Sequence, residues 1–147
     1  MNEKIISFIG KQTCGNLCCV DTEGKPWCFS FFYAFNKAEG LLYYKSSEDS
    51  RHSGIIMENP FVAGTILPDK LSLLQIKGVQ FEGTVIPFED TLAKGAYSAY
   101  HKKFPFSIAM PGQIWTIRLE EIKYTDNSLG FGTKLKWNRA EMSLNSK

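Results

Sequence analysis

A succession of short strand-like segments, separated by turn residues, limits the fold of this chain more than any other feature. The clearest segments, rich in β-branched, aromatic or small residues, are 13–20, 27–35, 41–45 and 61–66. Turn-forming residues at 21–26 and 36–40 separate the first three of them. Because strands joined by such turns pair with their neighbours, the pattern predicts an antiparallel meander.

Two later segments change the face on which their apolar residues lie. In the first, Leu74 and Ile76 share one face and the apolar residues after Gly78 share the other, which predicts a bulge or sharp bend at Gly78. In the second, residues 115–124, the change falls at Glu120-Glu121. Bent and coiled strands suit a small closed barrel, so the expected fold class is mostly β, with about six to seven antiparallel strands and about three short inserted helices.

Three helices are expected between the strands, each preceded by a residue that can cap its first turn. Asn2 precedes a helix whose apolar residues recur at i, i+3 and i+4, and this helix would cover the barrel. Ser50 precedes a second helix, which ends before Pro60 because a residue before proline avoids helical geometry. Asp90 precedes a third with one apolar face. The polar tail, 140–147, is expected to be flexible.

Length and charge exclude several classes of protein. The 147 residues allow one domain, 1–147, and leave no room for a second. A net charge of +2 is far below the basic excess of nucleic-acid-binding proteins, so no nucleic-acid partner is expected. The longest apolar run, 29–35, is too short to span a membrane, and the charged N-terminus lacks a secretory pattern. We therefore expect a cytoplasmic protein that does not contact membranes.

The cysteines lack both the paired spacing and the neighbouring histidine of a zinc site, so no metal site is predicted. They are Cys14, Cys18, Cys19 and Cys28. A turn centred on residues 23–24 would bring Cys19 opposite Cys28, close enough for a disulfide. In a reducing cytosol, however, small, buried and reduced thiols are the favoured interpretation.

Polar residues are concentrated where the third strand meets the start of the second helix. Backbone N–H groups at a helix start attract anions, and the hydroxyls of Ser46 and Ser50 can donate hydrogen bonds. Arg51 can bind a phosphate group through two parallel hydrogen bonds. The segment therefore predicts a cradle for a monophosphate group. An ordinary capped helix is the alternative interpretation, because the acidic residues at 48–49 would repel an anion.

The order of these motifs resembles the pyridoxamine 5'-phosphate oxidase-like split barrels that bind flavin mononucleotide (FMN). The shared features are Tyr43-Tyr44, Ser50-Arg51-His52, Asn59-Pro60 and Val79-Gln80-Phe81-Glu82-Gly83. In that family a Ser-Arg-Lys triplet opens the helix, and its two basic residues hold the phosphate region of the flavin. The resemblance implies a split barrel with FMN as cofactor and with Arg51 and His52 at the phosphate, where His52 replaces the usual Lys.

The family also lays the flavin ring against two neighbouring strands. Together with the cradle residues, the resemblance gives a cofactor site of Ser30, Phe32, Ala34, Tyr44, Lys45, Ser46, Ser50, Arg51, His52 and Tyr124. Alternation leaves the small side chains of Ser30 and Ala34 on one face, where a flat ring would fit, although a strand buried on both faces is the more common arrangement. The resemblance further implies a homodimer that holds FMN in a cleft between subunits and transfers electrons or hydride through it.

Several positions depart from the true oxidase and argue against pyridoxamine phosphate as the substrate. Ala34 and Gly78 stand where the oxidase has Lys and Gln, and the helix after Tyr97 lacks its Tyr-x-x-x-Arg-x-x-x-Ser set. The chain resembles more closely a small, uncharacterised bacterial subfamily of the same family, through motifs such as Phe104-Pro105 and residues 115–123.

A second hypothesis keeps the dimeric barrel but not the redox reaction. The cleft would then bind another phosphorylated ligand, or haem with His101 as a candidate axial ligand, although a histidine at an exposed helix end is usually just solvated. Gly130-Phe131-Gly132 could approach a phosphate through its backbone, but a turn is the more common role of this pattern.

Overall fold

The computed structural model describes residues 1–72, 74–128 and 132–144. The strands within these residues are β1 (Cys14–Val20), β2 (Pro26–Asn36), β3 (Leu41–Ser46), β4 (Phe61–Ile66), β5 (Lys77–Ile86), β6 (Gln113–Asp126) and β7 (Thr133–Asn138). The α-helices are α1 (Glu3–Lys11), α2 (Arg51–Glu58), α3 (Ala96–Lys103) and α4 (Arg139–Leu144), and short 3-10 turns cover Thr91–Ala93 and Pro105–Ala109. Elements of β-structure therefore dominate, as the sequence predicts.

Six strands close into an antiparallel barrel in the order β3-β2-β1-β4-β5-β6, because β3 also pairs with β6. The long strand β6 serves two partners along one edge. Its first half pairs with β3, where Leu42 lies opposite Ile117, and its second half pairs with β7, where Leu135 lies opposite Tyr124. The barrel prediction is confirmed, and β7 is an additional strand outside it.

The bend in β6 lies where the sequence predicts it. Glu82 of β5 is opposite Glu121, but the next residue, Gly83, is opposite Leu119, so Glu120 is the extra residue of a bulge. The predicted bulge at Gly78 is wrong, because Gly78 pairs regularly with Thr125. The apparent change of face there arises because Leu74 and Ile76 precede β5 and are exposed.

Helices close the two ends of the apolar barrel interior. At one end α1 buries its apolar face, and Tyr33 Oη of β2 donates to the Ile9 carbonyl oxygen at 2.7 Å. At the other end α2 buries Ile55 and Ile56 and packs against β1 and β2. The interior side chains include Leu17, Phe31, Leu42, Tyr44, Phe81, Ile117 and Ile122. Both ends being covered, a ligand must bind at the outside of the barrel or at its rim.

A second apolar cluster lies outside the barrel, between α3 and strands β2, β3 and β6. It contains Ala34, Tyr43, Tyr100, Phe104 and Ile114. The third predicted helix is thus present, but it begins later than expected. Its predicted cap, Asp90, instead accepts from Leu92 N in the preceding 3-10 turn.

The β1–β2 hairpin forms as predicted, but its register differs from the predicted one by one residue. Val20 lies opposite Pro26, so the turn is centred on Glu23, and Cys28 lies opposite Cys18 instead of Cys19. The structure joins Cys18 and Cys28 in a disulfide, and it leaves Cys19 free and buried and Cys14 free and exposed. The expectation of reduced, buried thiols therefore holds for Cys19 alone.

The last turn of the described chain is helical. Residues 140–144, assigned to a flexible tail, lie within α4, whereas 145–147 fall outside the described residues, and the flexibility of the tail stays a prediction. Residues 130 and 131 of the glycine pattern also lie outside them. Among the described helices, none combines the length and apolar character needed to cross a bilayer.

Candidate functional site

A chain of hydroxyl groups organises the start of α2. Ser50 caps the helix by accepting from Ser53 N at 3.3 Å, and its hydroxyl also donates to Ser53 Oγ at 2.8 Å. Ser53 Oγ in turn donates to the Ser47 carbonyl oxygen at 2.7 Å. Ser46, the last residue of β3, brings its Oγ to 3.4 Å from Ser50 Oγ. The strand end and the helix start are therefore held together by short polar side chains.

His52 lies against this chain and is held on two sides. Its ring stacks on Phe29 of β2, with a centroid distance of 3.7 Å and an interplanar angle of 14°. Its Nε2 lies 2.6 Å from Ser46 Oγ. Burial lowers the pKa of His52 below its ordinary value of 6.5, so the imidazole is neutral at pH 7. We call Ser46, Ser50 and His52 the α2 cradle.

Arg51 is exposed beside the cradle, and it forms no ion pair with any acidic side chain that the structure describes. Its guanidinium carbon lies 4.0 Å from the ring centroid of Trp27, an arrangement typical of cation–π contacts. Exposed contacts of this type are worth about 0.5–1 kcal/mol. A bound anion could therefore draw Arg51 away from Trp27 at small cost.

The backbone of Ser46 is held by contacts with Trp115 and Gly112. Trp115 of β6 donates from Nε1 to the Ser46 carbonyl oxygen at 3.2 Å, and its ring stacks on Tyr44. Gly112, at φ 124°, approaches so closely that a Cβ there would lie 3.1 Å from the Ser46 carbonyl group. A side chain at 112 would thus push against the backbone of the cradle.

The outer surface of β3 carries a second polar group. Lys45 donates from Nζ to the Ser107 carbonyl oxygen at 2.8 Å and lies 3.4 Å from His101 Nε2. The other ring nitrogen of His101 lies 2.9 Å from the Tyr97 carbonyl oxygen. The expectation of an exposed His101 is wrong, since only 6% of it is accessible. The cause is the packing of α3 on the barrel, which buries this face of the helix.

The structure brings only some of the sequence-predicted cofactor residues together. Ser46, Ser50, Arg51 and His52 meet at the start of α2, whereas Ser30, Phe32 and Lys45 lie on the outer side of β2 and β3. Ser30 donates to Asn16 Oδ1 at 3.0 Å, and Phe32 is 60% exposed. The cradle and this outer surface meet at the end of β3, where Lys45 and Ser46 are adjacent.

Three predicted residues lie elsewhere. Ala34 is buried under α3, and Tyr44 points into the barrel, where its hydroxyl has no hydrogen-bond partner among the described residues. Tyr124 contacts Phe8 of α1 and donates to Asp126 Oδ2 at 2.9 Å. It is nine residues along β6 from Trp115, a distance of roughly 30 Å in an extended strand. Tyr124 is therefore at the opposite end of the barrel from the cradle.

Trp27 and Trp115 support the cradle but are absent from the predicted cofactor set, whereas Phe29 begins the segment that the resemblance places near the flavin ring. Alternation along β2 indicates that Phe29 faces the barrel side, but its stacking on His52 depends on the three-dimensional position of α2. The contact of Trp115 with Ser46 joins residues 69 positions apart, and no local pattern signals it. Within the part of the chain that the structure describes, no group of three His, Cys, Asp or Glu side chains could hold a metal ion.

A six-stranded antiparallel barrel with a polar cradle at its rim defines this chain as a split-barrel protein. The chain belongs to the pyridoxamine 5'-phosphate oxidase family, whose sequence model matches residues 1–126. The resemblance predicted from the motifs is thereby confirmed.

Two similar sequences identify the bacterial subfamily. UPF0306 protein plu4501 from Photorhabdus laumondii is 43% identical over 121 residues, covering 82% of this chain and 85% of the relative. UPF0306 protein YhbP from Salmonella paratyphi A is 40% identical over 121 residues, covering 82% of both chains.

Solved structures with this fold differ in the ligand that they are named for. A heme binding protein from Mycobacterium smegmatis has a TM-score of 0.77 at 17% identity, over 92% of this chain and 57% of that chain. An FAD-binding protein from Mesorhizobium loti has a TM-score of 0.65 at 17% identity, over 86% and 95%. HutZ, the heme storage protein from Vibrio cholerae, has a TM-score of 0.61 at 18% identity, over 79% and 86%. At such identities the likeness establishes the fold alone.

Proposed function

We propose that this protein binds FMN, with the phosphate at the α2 cradle and the ring on the outer side of β2 and β3, and passes electrons or hydride through the flavin. The observation that carries the proposal is the meeting of Ser46, Ser50 and His52 beside the exposed Arg51. Membership of the pyridoxamine 5'-phosphate oxidase family supports a flavin in particular.

The cradle suits a phosphate group in three respects. The first backbone N–H groups of a helix have no partner within it and carry partial positive charge. Hydroxyl hydrogens at Ser46 and Ser50 can rotate toward an anion. Arg51 supplies a permanent charge that is free to leave Trp27. All three donors are at the rim of the barrel, within reach of solvent.

The proposed ring surface is narrower than the sequence suggests. Ser30 and Phe32 are exposed, and Lys45 faces the same side from the neighbouring strand, but Ala34 is covered by α3. The flavin would supply the redox chemistry, with a reduced nicotinamide or another small donor as substrate, while these side chains set access and charge near the ring. No protein side chain is required as a general acid.

Titration of the purified protein with FMN tests the proposal. We expect quenching of flavin fluorescence and a rise in melting temperature, since a ligand specific for the native state stabilises it. Arg51→Ala should weaken FMN binding by about ten- to a hundredfold, because it removes a charge-assisted hydrogen bond worth about 1.5–3 kcal/mol. Anaerobic bleaching of the flavin absorbance by a reduced nicotinamide would support the redox step.

Lys102→Gln is the matched control for Arg51→Ala. Lys102 is an exposed cation on α3, outside the cradle, so its loss changes the net charge equally. This variant should bind FMN as the wild type does. Unchanged FMN affinity in Arg51→Ala, or no FMN binding by the wild type, would contradict the proposal.

We also propose that the active form is a homodimer. The outer face of β1, β4 and β5 exposes Val20, Phe61 and Ala63. The connection from β4 to β5 adds Leu71, Leu74 and Ile76, which are exposed as well. Exposed apolar surface of this extent is typical of protein contacts. A second copy would cover it and form one wall of the ligand cleft.

Haem is a second candidate ligand, favoured by apolar side chains around Lys45 and His101. Those exposed near Ser107 and His101 are Phe32, Tyr97, Phe106, Ile108 and Met110. To bind haem iron, His101 Nε2 would have to give up its contact with Lys45 Nζ. A Soret band that appears on haem addition and is lost in His101→Ala, without FMN binding, would favour this candidate over FMN.

A further inference from the structure

The basic residue at the second position of α2 is a histidine, and its contacts suit a ring that can be either neutral or charged. The ring lies flat on Phe29, and its Nε2 is 2.6 Å from Ser46 Oγ. Neutral imidazole accepts at one nitrogen, whereas imidazolium donates at both. In the neutral tautomer with the proton on Nδ1, Nε2 therefore accepts the Ser46 hydroxyl hydrogen.

Few charges face His52. The packed strand β2 contributes the uncharged ring of Phe29, and β3 contributes Ser46. On α2 and the preceding turn the charged groups are Glu48, Asp49, Arg51 and Glu58, all exposed to solvent. Burial alone lowers the pKa of His52 below 6.5. The neutral form is therefore favoured as long as no anion occupies the cradle.

Protonation of His52 would change the cradle at two atoms. Nε2 would become a donor to Ser46 Oγ, which must then accept. The Ser46 hydroxyl hydrogen would be released and could be donated to an oxygen of a bound anion. One proton thus adds a positive charge and also frees one hydrogen-bond donor, and both effects favour an anion over an empty cradle.

We propose that His52 takes up one proton when a phosphate group binds at the α2 cradle, so that the affinity for phosphorylated ligands falls as the pH rises. The inference rests on the proposed function, since it concerns the same site and adds its regulation. The sign follows from linkage. A group that is neutral in the free protein and charged in the complex has a higher pKa in the complex, so binding is strongest at low pH.

Comparison of FMN affinity in the wild type and in His52→Lys between pH 5.5 and 8.5 tests the inference. The second phosphate pKa, near about 6, affects both proteins equally and cancels in the ratio of their dissociation constants. One linked proton changes that ratio by up to about tenfold per pH unit. We expect the ratio of the wild-type to the His52→Lys dissociation constant to rise with pH and to level off only at the two ends.

Two controls test whether the pH dependence arises from the phosphate group and from His52. Riboflavin has the ring of FMN but no phosphate. The ratio of its dissociation constants for the wild type and for His52→Lys should therefore change little with pH. The chain contains two histidines, and His101→Gln removes the other one. This variant should keep the wild-type slope. Ser46→Ala should keep proton uptake but weaken FMN binding most at low pH, where the released hydroxyl hydrogen acts.

Nuclear magnetic resonance of the histidine ring carbons gives a second readout that needs no His52 variant. His101→Gln assigns the two signals, and we expect the His52 pKa to be below 6.5 in the free protein. It should rise when FMN saturates the site. If FMN binds with a pH-independent ratio and an unmoved His52 pKa, the inference is wrong and the proposed function stands. If FMN fails to bind at every pH, the proposed function is wrong and the inference falls with it.

Discussion

Asp126 is almost fully buried, yet it is ionised. Its carboxylate accepts from Tyr124 Oη and from the backbone and side chain of Ser128, and Lys77 Nζ lies 3.5 Å away. Burial raises the pKa of Asp126, but the Ser128 and Tyr124 hydrogen bonds and the Lys77 charge outweigh it and lower the pKa to about 2. This carboxylate therefore ties the end of β6 to the start of β5.

Replacement of Asp126 by Asn should lower the free energy of unfolding at neutral pH by about 1–3 kcal/mol, because donors aimed at a charge meet a neutral amide. A carboxyl group whose pKa is depressed in the folded state stabilises it above its unfolded pKa, near 3.8, and loses this contribution as the pH falls toward 2. Urea unfolding at pH 7, 4 and 2 measures the difference, which should shrink as the pH falls. A constant difference across this range would contradict the assignment.

Sequence patterns predict which residues form the cradle, but not how each side chain is oriented. Tyr44 and Lys45 are assigned to the same ligand surface by resemblance, although neighbouring strand residues point to opposite sides, and the structure separates them accordingly. The partner of Cys28 is equally sensitive to the position of the turn. A turn centre displaced by half a residue places Cys18 opposite Cys28 instead of Cys19. The contact between His52 and Ser46 could not be predicted, because it depends on the position of α2 against β3.

The close approach of β4 to its neighbours depends on Gly64. A Cβ at this position would lie 2.6 Å from the Asn16 carbonyl oxygen of β1 and would overlap the ring of Phe81 on β5. We expect Gly64→Ala to lower the free energy of unfolding by about 1–3 kcal/mol, the range for overpacked interiors. Thermal and urea denaturation measure the change.

Gly10→Ala is the matched control for that substitution. Gly10 lies in α1 with open space around its Cα, so a methyl group there meets no neighbour. This variant should be more stable than the wild type by about 0.5–1 kcal/mol, since alanine favours the helix. Equal effects of the two substitutions would show that the packing of β4 does not explain the glycine at position 64.

At the scale of elements, local signals predict the structure where caps and turn residues are present. Asn2 and Ser50 cap α1 and α2, and the first hairpin forms as its turn residues indicate. Strand β7 is absent from the sequence prediction, although Leu135 and Trp137 alternate with lysines. Its pairing with β6 supplies the partner that a short strand needs, and a local pattern cannot reveal that partner.

At the scale of the whole molecule, the proposed dimer depends on the outer face of β1, β4 and β5, where the described residues Val20, Phe61 and Ala63 are exposed. Ala63 lies at the centre of this face, opposite Cys18 of β1 and Glu82 of β5. A long side chain there would project from this face and hold a second copy away from it. We therefore expect Ala63→Arg to weaken dimerisation by about ten- to a hundredfold, given typical penalties of about 1–3 kcal/mol for overpacking.

Light scattering at micromolar concentration measures this effect directly. The wild type should have twice the chain mass of 16.6 kDa, and Ala63→Arg should approach the mass of one chain while keeping a wild-type circular dichroism spectrum. Ala38→Arg, in the exposed turn after β2, is the matched control and should remain dimeric. Because the second copy would form one wall of the ligand cleft, the monomeric variant should also bind FMN more weakly. A monomeric wild type would contradict the dimer, and a monomeric Ala63→Arg with full FMN affinity would restrict the ligand site to a single chain.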